Sequence, residues 1–263
     1  MSRTCEDDLG RSVELPDQVV RVVSLVPSLT ETLAESAADL VVGATDWCSH
    51  PRNLDVPRIG GTKNPRVENI VALAPDLVIA NEEENRVADL DALRAAGIAV
   101  WVTAPTTVAA ALVSLDRLLR FGCGLRTPDW LAAANVVWAE SASGPRRSAF
   151  IPIWRRPWMA LGRDTFAGDV LAHLRIDNVL AGDVDRYPKV TLDQIRAESA
   201  VDLVVLPDEP YAFGWHDGPE AFADWGVPIA CVSGRHLTWY GPSLVDARRL
   251  LTEQISGARL PQP

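Results

Sequence analysis

The chain has 263 residues, a formal net charge of −10, and 48% hydrophobic against 23% charged residues. This length exceeds that of an average domain, so two domains or one large α/β unit are expected. The composition excludes a disordered or collagen-like chain, and no stretch approaches the roughly 18 unbroken apolar residues of a membrane-spanning helix. The acidic excess opposes unspecific contact with phosphate backbones, so we expect no nucleic acid partner.

The amino-terminal residues carry no apolar stretch before their first acidic cluster, so the sequence as written contains no secretory signal and is interpreted as cytoplasmic. The cysteines lie far apart without a C-x-x-C pair, which argues against a zinc ribbon or a thioredoxin-type site. We expect free, buried thiols at Cys5, Cys48, Cys123 and Cys231.

The first hundred residues alternate between apolar runs and helical patterns. A β-branched strand at 22–26 leads into a helix that begins with Pro27, and another apolar run follows at 40–43. Further helices are predicted at 68–73 and 87–96, and further strands at 75–80 and 97–102. This order is typical of a mainly parallel sheet covered by helices.

The second half repeats the same order. Its predicted elements are a strand at 149–153, a helix at 192–196, and strands at 201–206 and 226–232. Asp76 and Asp202 precede equivalent strands and lie 126 residues apart, while Gly97 and Gly226 lie 129 residues apart. These offsets predict an α/β fold of two similar lobes with mainly parallel sheets, and a ligand cleft where the strand ends of the lobes face each other.

The segment between the halves also has helical patterns, at 108–119 and 129–141. It therefore predicts a helical connector. The domain boundaries expected from the pattern are an amino-terminal lobe at 1–105, the connector at 106–145 and a carboxyl-terminal lobe at 146–263.

Enzyme motifs are missing from the sequence: it contains no phosphate-binding loop, dinucleotide fingerprint, nucleophile elbow or zinc-protease motif. Histidines do occur in predicted loops, at His50, His216 and His236. With a carboxylate from Glu82 to Glu84 they could bind Zn or Fe and activate a metal-bound water. A metal-dependent enzyme that uses His50 and His236 is therefore an alternative, and solvated loop histidines are the simpler interpretation.

Tryptophan is unusually abundant, with nine residues against three Tyr and five Phe. Several of these indoles, together with Tyr240, fall in segments predicted as loops beyond strand ends: Trp47, Trp154, Trp158, Trp215 and Trp239. Such residues offer planar walls to a ligand, or else they close a hydrophobic core. If Trp158 is a wall residue, its removal should weaken ligand binding with little loss of stability. If it is a core residue, its removal should lower the stability and leave the affinity unchanged.

Charged residues at the same strand ends complete the predicted ligand site. Arg155 can meet an anionic ligand edge through two hydrogen bonds, and Glu83 lies in the acidic segment that follows the strand at 75–80.

Several segments resemble the substrate-binding proteins that serve ABC importers of vitamin B12, haem and iron–siderophores. They are Arg-Val-Val-Ser-Leu-Val-Pro-Ser-Leu-Thr-Glu at 21–31, Gly-Gly-Thr at 60–62, and Glu-Asn-Ile-Val-Ala-Leu-Ala-Pro-Asp-Leu-Val at 68–78. The resemblance extends over residues 8–252. It implies two α/β lobes joined by a single long helix, with the ligand held between them.

The resemblance also implies roles for particular residues. Trp47 to His50 corresponds to the first cleft loop, and the segments from Trp154 to Trp158 and around Trp239 correspond to later cleft loops. Glu68 and Asp193 correspond to acidic residues, one per lobe, that dock on arginines of the importer's membrane subunits. Asp193 departs from the usual Glu, and the sequence as written has neither the signal peptide nor the lipid-anchor cysteine of the family.

Together these observations predict a monomeric, non-enzymatic binding protein without a covalent cofactor. Its expected ligand is cobalamin, haem or a ferric siderophore, and its expected partners are ABC importer membrane subunits. A cytoplasmic cofactor-binding relative or chaperone, and the metal-dependent enzyme described above, are the alternatives.

Overall fold

Two compact units make up the part of the chain that the computed structural model describes, residues 2–140 and 142–261. Unit 1 comprises the residues up to Pro105, Ala109–Ala134 and Tyr240–Pro242. Unit 2 comprises Thr106–Val108, Asn135–Trp239 and the residues from Ser243 onward. Both units are therefore discontinuous in sequence. The chain partition at 105 and 145 stays a prediction.

Unit 1 is built on a parallel sheet with the strand order β4-β3-β7-β8. Its strands are β1 (Ser2–Glu6), β2 (Ser12–Pro16), β3 (Val22–Ser24), β4 (Val41–Ala44), β5 (Gly60–Gly61), β6 (Asn64–Pro65), β7 (Leu77–Asn81) and β8 (Val100–Thr103). Its helices include α1 (Pro27–Ala37), α2 (Val67–Ala72) and α3 (Val87–Ala95). The strands β3 and β7 are buried throughout, as apolar strands covered on both faces must be.

Two small antiparallel hairpins accompany this sheet. Strand β1 pairs with β2, and β5 pairs with β6 through the turn at 62–63. Gly60 has φ +95°, and a Cβ at this position would lie 2.7 Å from the carbonyl oxygen of Asn64. Only glycine therefore fits the β5–β6 turn without displacement of the backbone. The sequence analysis did not identify either hairpin.

Unit 2 repeats the topology, with the parallel strand order β12-β9-β13-β14. Its strands are β9 (Arg147–Phe150), β10 (Pro152–Arg155), β11 (Trp158–Ala160), β12 (Ile176–Asn178), β13 (Leu203–Pro207) and β14 (Ile229–Val232). Its helices are α6 (Phe166–His173), α7 (Leu192–Glu198), α8 (Gly234–Thr238) and α9 (Leu244–Ser256). In chain order, the second strand of each sheet pairs with one side of the first strand. The third strand pairs with the other side of the first strand, and the fourth pairs with the third. The expected α/β fold with two similar, mainly parallel sheets is confirmed.

The connecting segment differs from the single long helix that the resemblance implies. Helix α4 (Val108–Arg117) continues into a π-helical turn at Leu118–Gly122, and a separate helix α5 covers Asp129–Ala139. Between them the backbone leaves the helical conformation, with φ +72° at Gly124 and a proline at 128. The single helix is therefore not confirmed, whereas the two helical patterns match α4 and α5. Residue 141, at the end of the second pattern, lies outside the described residues.

Helix α5 carries the chain from unit 1 into unit 2, since the units divide between Ala134 and Asn135. Among the residues that the structure describes, no helix combines the length and the hydropathy that a bilayer span requires.

Candidate functional site

The loop after β4 presents the most exposed indole at a strand end. Trp47 is 68% exposed, and its Nε1 lies 3.2 Å from the position that a Cβ of Gly61 would occupy, so the indole rests on the glycine backbone of β5. The loop is held from below by Cys48, whose thiol lies 3.0 Å from Thr30 Oγ1. Arg58 adds two hydrogen bonds, to the carbonyl oxygens of Thr45 and Cys48. An exposed indole thus stands on an anchored turn.

His50 lies in the same loop, three residues beyond Trp47. Its Nδ1 lies 3.1 Å from the hydroxyl of Ser49. Below it, burial raises the pKa of the Cys48 thiol above its ordinary value, although hydrogen bonds from Thr30 and Thr45 oppose this effect. The four cysteines are free, as expected, and Cys48 and Cys123 are buried while Cys5 and Cys231 are half-buried.

The acidic segment after β7 forms a tight turn, and we call residues 82–85 the acidic loop. The side chain of Glu83 is half-buried, and Lys63 donates from Nζ to its backbone carbonyl oxygen. Desolvation by burial raises the pKa of Glu84, with an opposing effect from Lys63 and a reinforcing one from Glu83. The loop therefore concentrates negative charge at the carboxyl end of β7, where Lys63 is the compensating cation.

Tyr240 belongs to unit 1 although it follows α8 in the chain. It is 6% exposed, and its hydroxyl lies 2.8 Å from both Asn81 Nδ2 and Thr103 Oγ1. Burial is the main reason that the pKa of this phenol is raised above its ordinary value. Its role as a ligand contact stays a prediction, and the structure gives its hydroxyl two partners inside unit 1.

In unit 2, the predicted wall residues lie on the β10–β11 hairpin rather than in loops. Trp154 is 41% exposed and meets Tyr211 edge to face, with ring centroids 5.6 Å apart. Trp158 is half-buried and stacks on Phe213 with 3° between the ring planes and centroids 6.1 Å apart. It also packs at 5.6 Å on Phe222, a fully buried core residue. The hairpin thus carries two indoles near its turn, on opposite strands: Trp154 is exposed, and Trp158 packs on the core.

Arg155 lies between these two indoles, with its guanidinium carbon 5.7 Å from the centroid of Trp158. The guanidinium forms ion pairs with both Asp217 and Glu220. The Tyr211 hydroxyl donates to the other oxygen of Asp217 at 2.6 Å. Two carboxylates therefore neutralise the cation that the sequence predicts as a ligand contact, and they fasten the 211–220 loop to the hairpin.

Both predicted docking residues are exposed in the first turn of a short helix. Glu68 lies in α2, and Asp193 lies in α7, where the Thr191 side chain caps the helix by accepting from the backbone N–H of Gln194. Residues 155–158 and 190–193 line a depression of about 570 Å³ on unit 2. Asp193 and Trp158 therefore share one surface feature, although the sequence assigned them different roles.

The other two predicted indoles are held by charged partners in unit 2. Trp239 is 8% exposed, and its Nε1 donates to a Glu209 carboxylate oxygen at 3.1 Å. Trp215 is 39% exposed and lies beneath the guanidinium of Arg259, which is 4.0 Å from the ring centroid. Both stay predicted ligand contacts, with Trp239 the less accessible of the two.

The alternative metal site gains no support from the structure. His50 lies in unit 1 and His236 in unit 2, where its Nδ1 is 2.8 Å from the Ser233 hydroxyl. Within residues 2–140 and 142–261, no three His, Cys, Asp or Glu side chains are grouped so that they could hold a metal ion.

Sequence reasoning missed the residues that support the predicted site residues. These are Asn81 and Asn85 around the acidic loop, and Asp217 and Glu220 around Arg155. An asparagine on each side of three glutamates is a local signal for a side-chain-capped turn. The partners of Arg155 have no such signal, since Asp217 lies 62 residues away in the chain.

Comparisons with known proteins agree with this architecture. The sequence profile of the family described as periplasmic binding protein matches residues 22–120. The vitamin B12-binding proteins of Yersinia pestis (strain Pestoides F) and Yersinia pseudotuberculosis (serotype O:1b, strain IP 31758) are each 24% identical over 259 residues. These alignments cover 95% of this chain and 90% of each relative.

Solved structures show the same fold. The periplasmic vitamin B12-binding protein BtuF of Vibrio cholerae superposes with a TM-score of 0.69 at 18% identity, covering 92% of this chain and 98% of that one. The periplasmic haem-binding protein RhuT of Roseiflexus sp. RS-1 has a TM-score of 0.73 at 21% identity, and the superposition covers 90% of this chain and 99% of that one. CeuE of Helicobacter pylori has a TM-score of 0.80 at 14% identity, and the superposition covers 98% of this chain and 89% of that one.

The chain thus has the fold of the periplasmic binding proteins. The resemblance to substrate-binding proteins of the vitamin B12, haem and iron–siderophore type is confirmed, on a match that extends over almost the whole chain.

The packing of Trp158 leads to a stability prediction. Trp158→Ala should lower the free energy of unfolding by about 2 to 4 kcal/mol, because it opens a cavity against Phe213 and Phe222. Trp154→Ala, which removes a 41% exposed indole from the same hairpin, should cost about 1 kcal/mol or less. Urea unfolding followed by circular dichroism measures both. Equal losses would contradict the core packing of Trp158.

Glu220 leads to a prediction about acid stability. Burial by itself would raise its pKa, but hydrogen bonds from backbone N–H groups and from Arg155 outweigh burial, and the pKa is lowered. Its stabilising effect is therefore complete above the unfolded pKa of about 4.3 and disappears as the pH falls through the lower folded value. As the pH is lowered below about 4.3, the urea midpoint of the Glu220→Gln variant should fall less steeply than that of the wild-type protein. Identical slopes would contradict the ion pair with Arg155.

Proposed function

We propose that this protein is a substrate-binding protein that captures a metal chelate of the cobalamin, haem or ferric siderophore class and releases it chemically unchanged. One observation carries the proposal: in each unit, an indole stands exposed at the carboxyl edge of a parallel sheet, Trp47 beyond β4 and Trp154 beyond β9. Ligand sites in open α/β sheets form at this edge. Large planar or apolar ligands are the class that exposed indoles bind well.

The charges around these indoles support a ligand whose contacts are mainly apolar. Arg155 is neutralised by Asp217 and Glu220, so it contributes the face of a fixed guanidinium more than a free positive charge. On unit 1, the acidic loop offers carboxylates and Lys63. The relatives named above that bind vitamin B12 or haem support the same ligand class.

A binding assay tests the proposal directly. The purified protein is titrated with cyanocobalamin, haemin and ferrichrome, with glucose as a negative control, while intrinsic tryptophan fluorescence and the melting temperature are recorded. We expect one chelate to stabilise the fold, by about 2.7 kcal/mol at a hundredfold excess over Kd, and to be recovered with unchanged mass. A folded protein that binds none of the three chelates would overturn the proposal.

Variants localise the ligand in the same assay. Trp47→Ala and Trp154→Ala should each weaken binding about tenfold, since an aromatic contact and its buried area are together worth about 1.4 kcal/mol or more. Trp130→Phe is the matched control, because Trp130 lies on α5 and donates from Nε1 to the Ser36 hydroxyl, away from the strand ends.

We further propose that the protein delivers its ligand to the membrane subunits of an ABC importer through Glu68 and Asp193, and that it does so as a monomer. Both carboxylates are exposed, and both lie in helices that directly precede a sheet strand. Carboxylates in this position can pair with arginines of a partner and set the register of docking.

Charge reversal tests the docking surface. Glu68→Arg should abolish association with importer membrane subunits in nanodiscs and leave chelate affinity unchanged, because a peripheral charge governs association rather than ligand contact. Glu35→Arg, at an exposed position on α1 of the same unit, serves as the matched reversal and should retain docking. Undiminished association of the Glu68→Arg protein would refute this role.

A further inference from the structure

The buried amide of Asn81 connects the acidic loop to Tyr240. On one side, Asn81 Oδ1 accepts the backbone N–H groups of Glu83 at 2.9 Å and Glu84 at 3.1 Å. On the other side, Asn81 Nδ2 donates to the Thr103 carbonyl oxygen at 3.0 Å and to the Tyr240 hydroxyl at 2.8 Å. An amide has two donor hydrogens and one acceptor oxygen with two lone pairs. Every hydrogen-bonding position of this side chain is therefore used.

The direction of the bond between Tyr240 and Thr103 follows from counting hydrogens. Thr103 Oγ1 donates its single hydrogen to the carbonyl oxygen of Ala80 at 3.0 Å. The 2.8 Å contact between the two hydroxyls is then satisfied when Tyr240 donates to Thr103. The Tyr240 hydroxyl thus accepts a hydrogen bond from Asn81 on β7 and donates one to Thr103 on β8. It thereby links the side chains of these two strands.

Asn85 closes the acidic loop from its other end. Its Oδ1 accepts the backbone N–H of Asn81 at 2.9 Å, and its Nδ2 donates to the carbonyl oxygens of Thr62 at 3.0 Å and Leu25 at 3.3 Å. Asn81 and Asn85 are both 4% exposed. Rotation of the Asn81 amide would leave two backbone N–H groups without their acceptor. The Tyr240 hydroxyl opposes this rotation from the opposite side.

Tyr240 is itself held in place by the residue that follows it. A Cβ on Gly241 would lie 2.8 Å from Thr32 Oγ1 and 3.2 Å from the Ser28 carbonyl oxygen, both on α1. The backbone at 240–242 therefore lies against α1 at a distance that only glycine permits. This close packing fixes where the Tyr240 ring enters unit 1.

We propose that Tyr240 is a positioning residue for the acidic loop, acting through the amide of Asn81 rather than by touching the ligand. The hydroxyl holds the amide, and the amide holds the backbone N–H groups of Glu83 and Glu84. The backbone that carries the two carboxylates is then held in one arrangement, so that binding does not have to order it. The link to ligand affinity rests on the function proposed above, whereas the positioning itself does not.

Amide hydrogen exchange tests the positioning without any ligand. In Tyr240→Phe, the N–H groups of Glu83 and Glu84 should exchange about three to ten times faster by NMR, as expected for the loss of one neutral hydrogen bond. Thr103→Val, which keeps the phenol but removes its acceptor, should act in the same direction and is the second variant if Tyr240→Phe folds poorly. Tyr187→Phe, on unit 2, should leave both amides unchanged. Unchanged exchange in both test variants would overturn the proposal.

A double-mutant cycle separates action through Asn81 from direct ligand contact. With the chelate that binds the wild-type protein best among cyanocobalamin, haemin and ferrichrome, Tyr240→Phe should weaken affinity about threefold to tenfold. In an Asn81→Ala background it should cause no further loss, because the path from the hydroxyl to the loop is already broken. Additive losses would overturn the proposal and assign Tyr240 to the ligand contact.

The two experiments also distinguish this proposal from the proposed function. If no chelate binds the wild-type protein, the proposed function fails, and the exchange of the Glu83 and Glu84 amides alone decides whether Tyr240 positions the loop. If a chelate binds but the exchange is unchanged, the positioning role fails and the binding function stands.

Discussion

Parallel pairing of buried strands is the constraint on which the candidate site depends. In unit 1, β3 is buried on both faces and pairs in parallel with β4 and β7, and in unit 2, β9 pairs in the same way with β12 and β13. Parallel strands end at the same edge of the sheet, so the segments that follow them gather there. Apolar side chains fill the strands, and the polar and aromatic groups that can meet a ligand are left to the segments at this edge.

Segments that follow a strand are no longer held by the backbone hydrogen bonds between neighbouring strands. In this protein, side-chain contacts of three different kinds hold them instead. Cys48 and Arg58 hold the turn that carries Trp47, through a buried thiol and two bonds to carbonyl oxygens. A fully used amide, that of Asn81, holds the acidic loop. An ion pair between Arg155 and Asp217 holds the hairpin in unit 2. In each case the residue that would meet the ligand is supported by a buried or half-buried neighbour, which reduces the entropy lost on binding.

The two units differ in what they offer. Unit 1 combines one exposed indole with a concentration of carboxylates, whereas unit 2 presents a series of aromatic ring contacts that continues from Trp154 through Tyr211 and Phe213 to Trp158. Through Trp158, these contacts join the β10–β11 hairpin to the hydrophobic core of unit 2. Trp158 is therefore expected to contribute to stability through its packing on Phe213 and Phe222, and its place in the ligand wall stays a prediction.

The sequence by itself determined most strands of the two parallel sheets and their order. The pattern predicts four of the strands to within a few residues: β3, β7, β13 and β14. A strand that is buried on both faces consists of a continuous run of apolar and β-branched residues, which is visible in the local sequence. Glu68 and Asp193 lie in helices that the pattern predicts, whereas their selection as docking residues came from the resemblance. Such strands and helices are short-range properties, and a pattern of neighbouring residues is enough to encode them.

Only the tertiary structure decided which side chains meet. Tyr240 lies 159 residues from Asn81, and Arg155 lies 62 residues from Asp217, yet each pair is in direct contact. The sequence placed Tyr240 and Arg155 at the ligand, while the structure gives both of them partners inside their own unit. The physical reason is that such contacts depend on the register of the sheets and on the close packing of a segment such as 240–242 against α1. No local pattern of residue types records that packing.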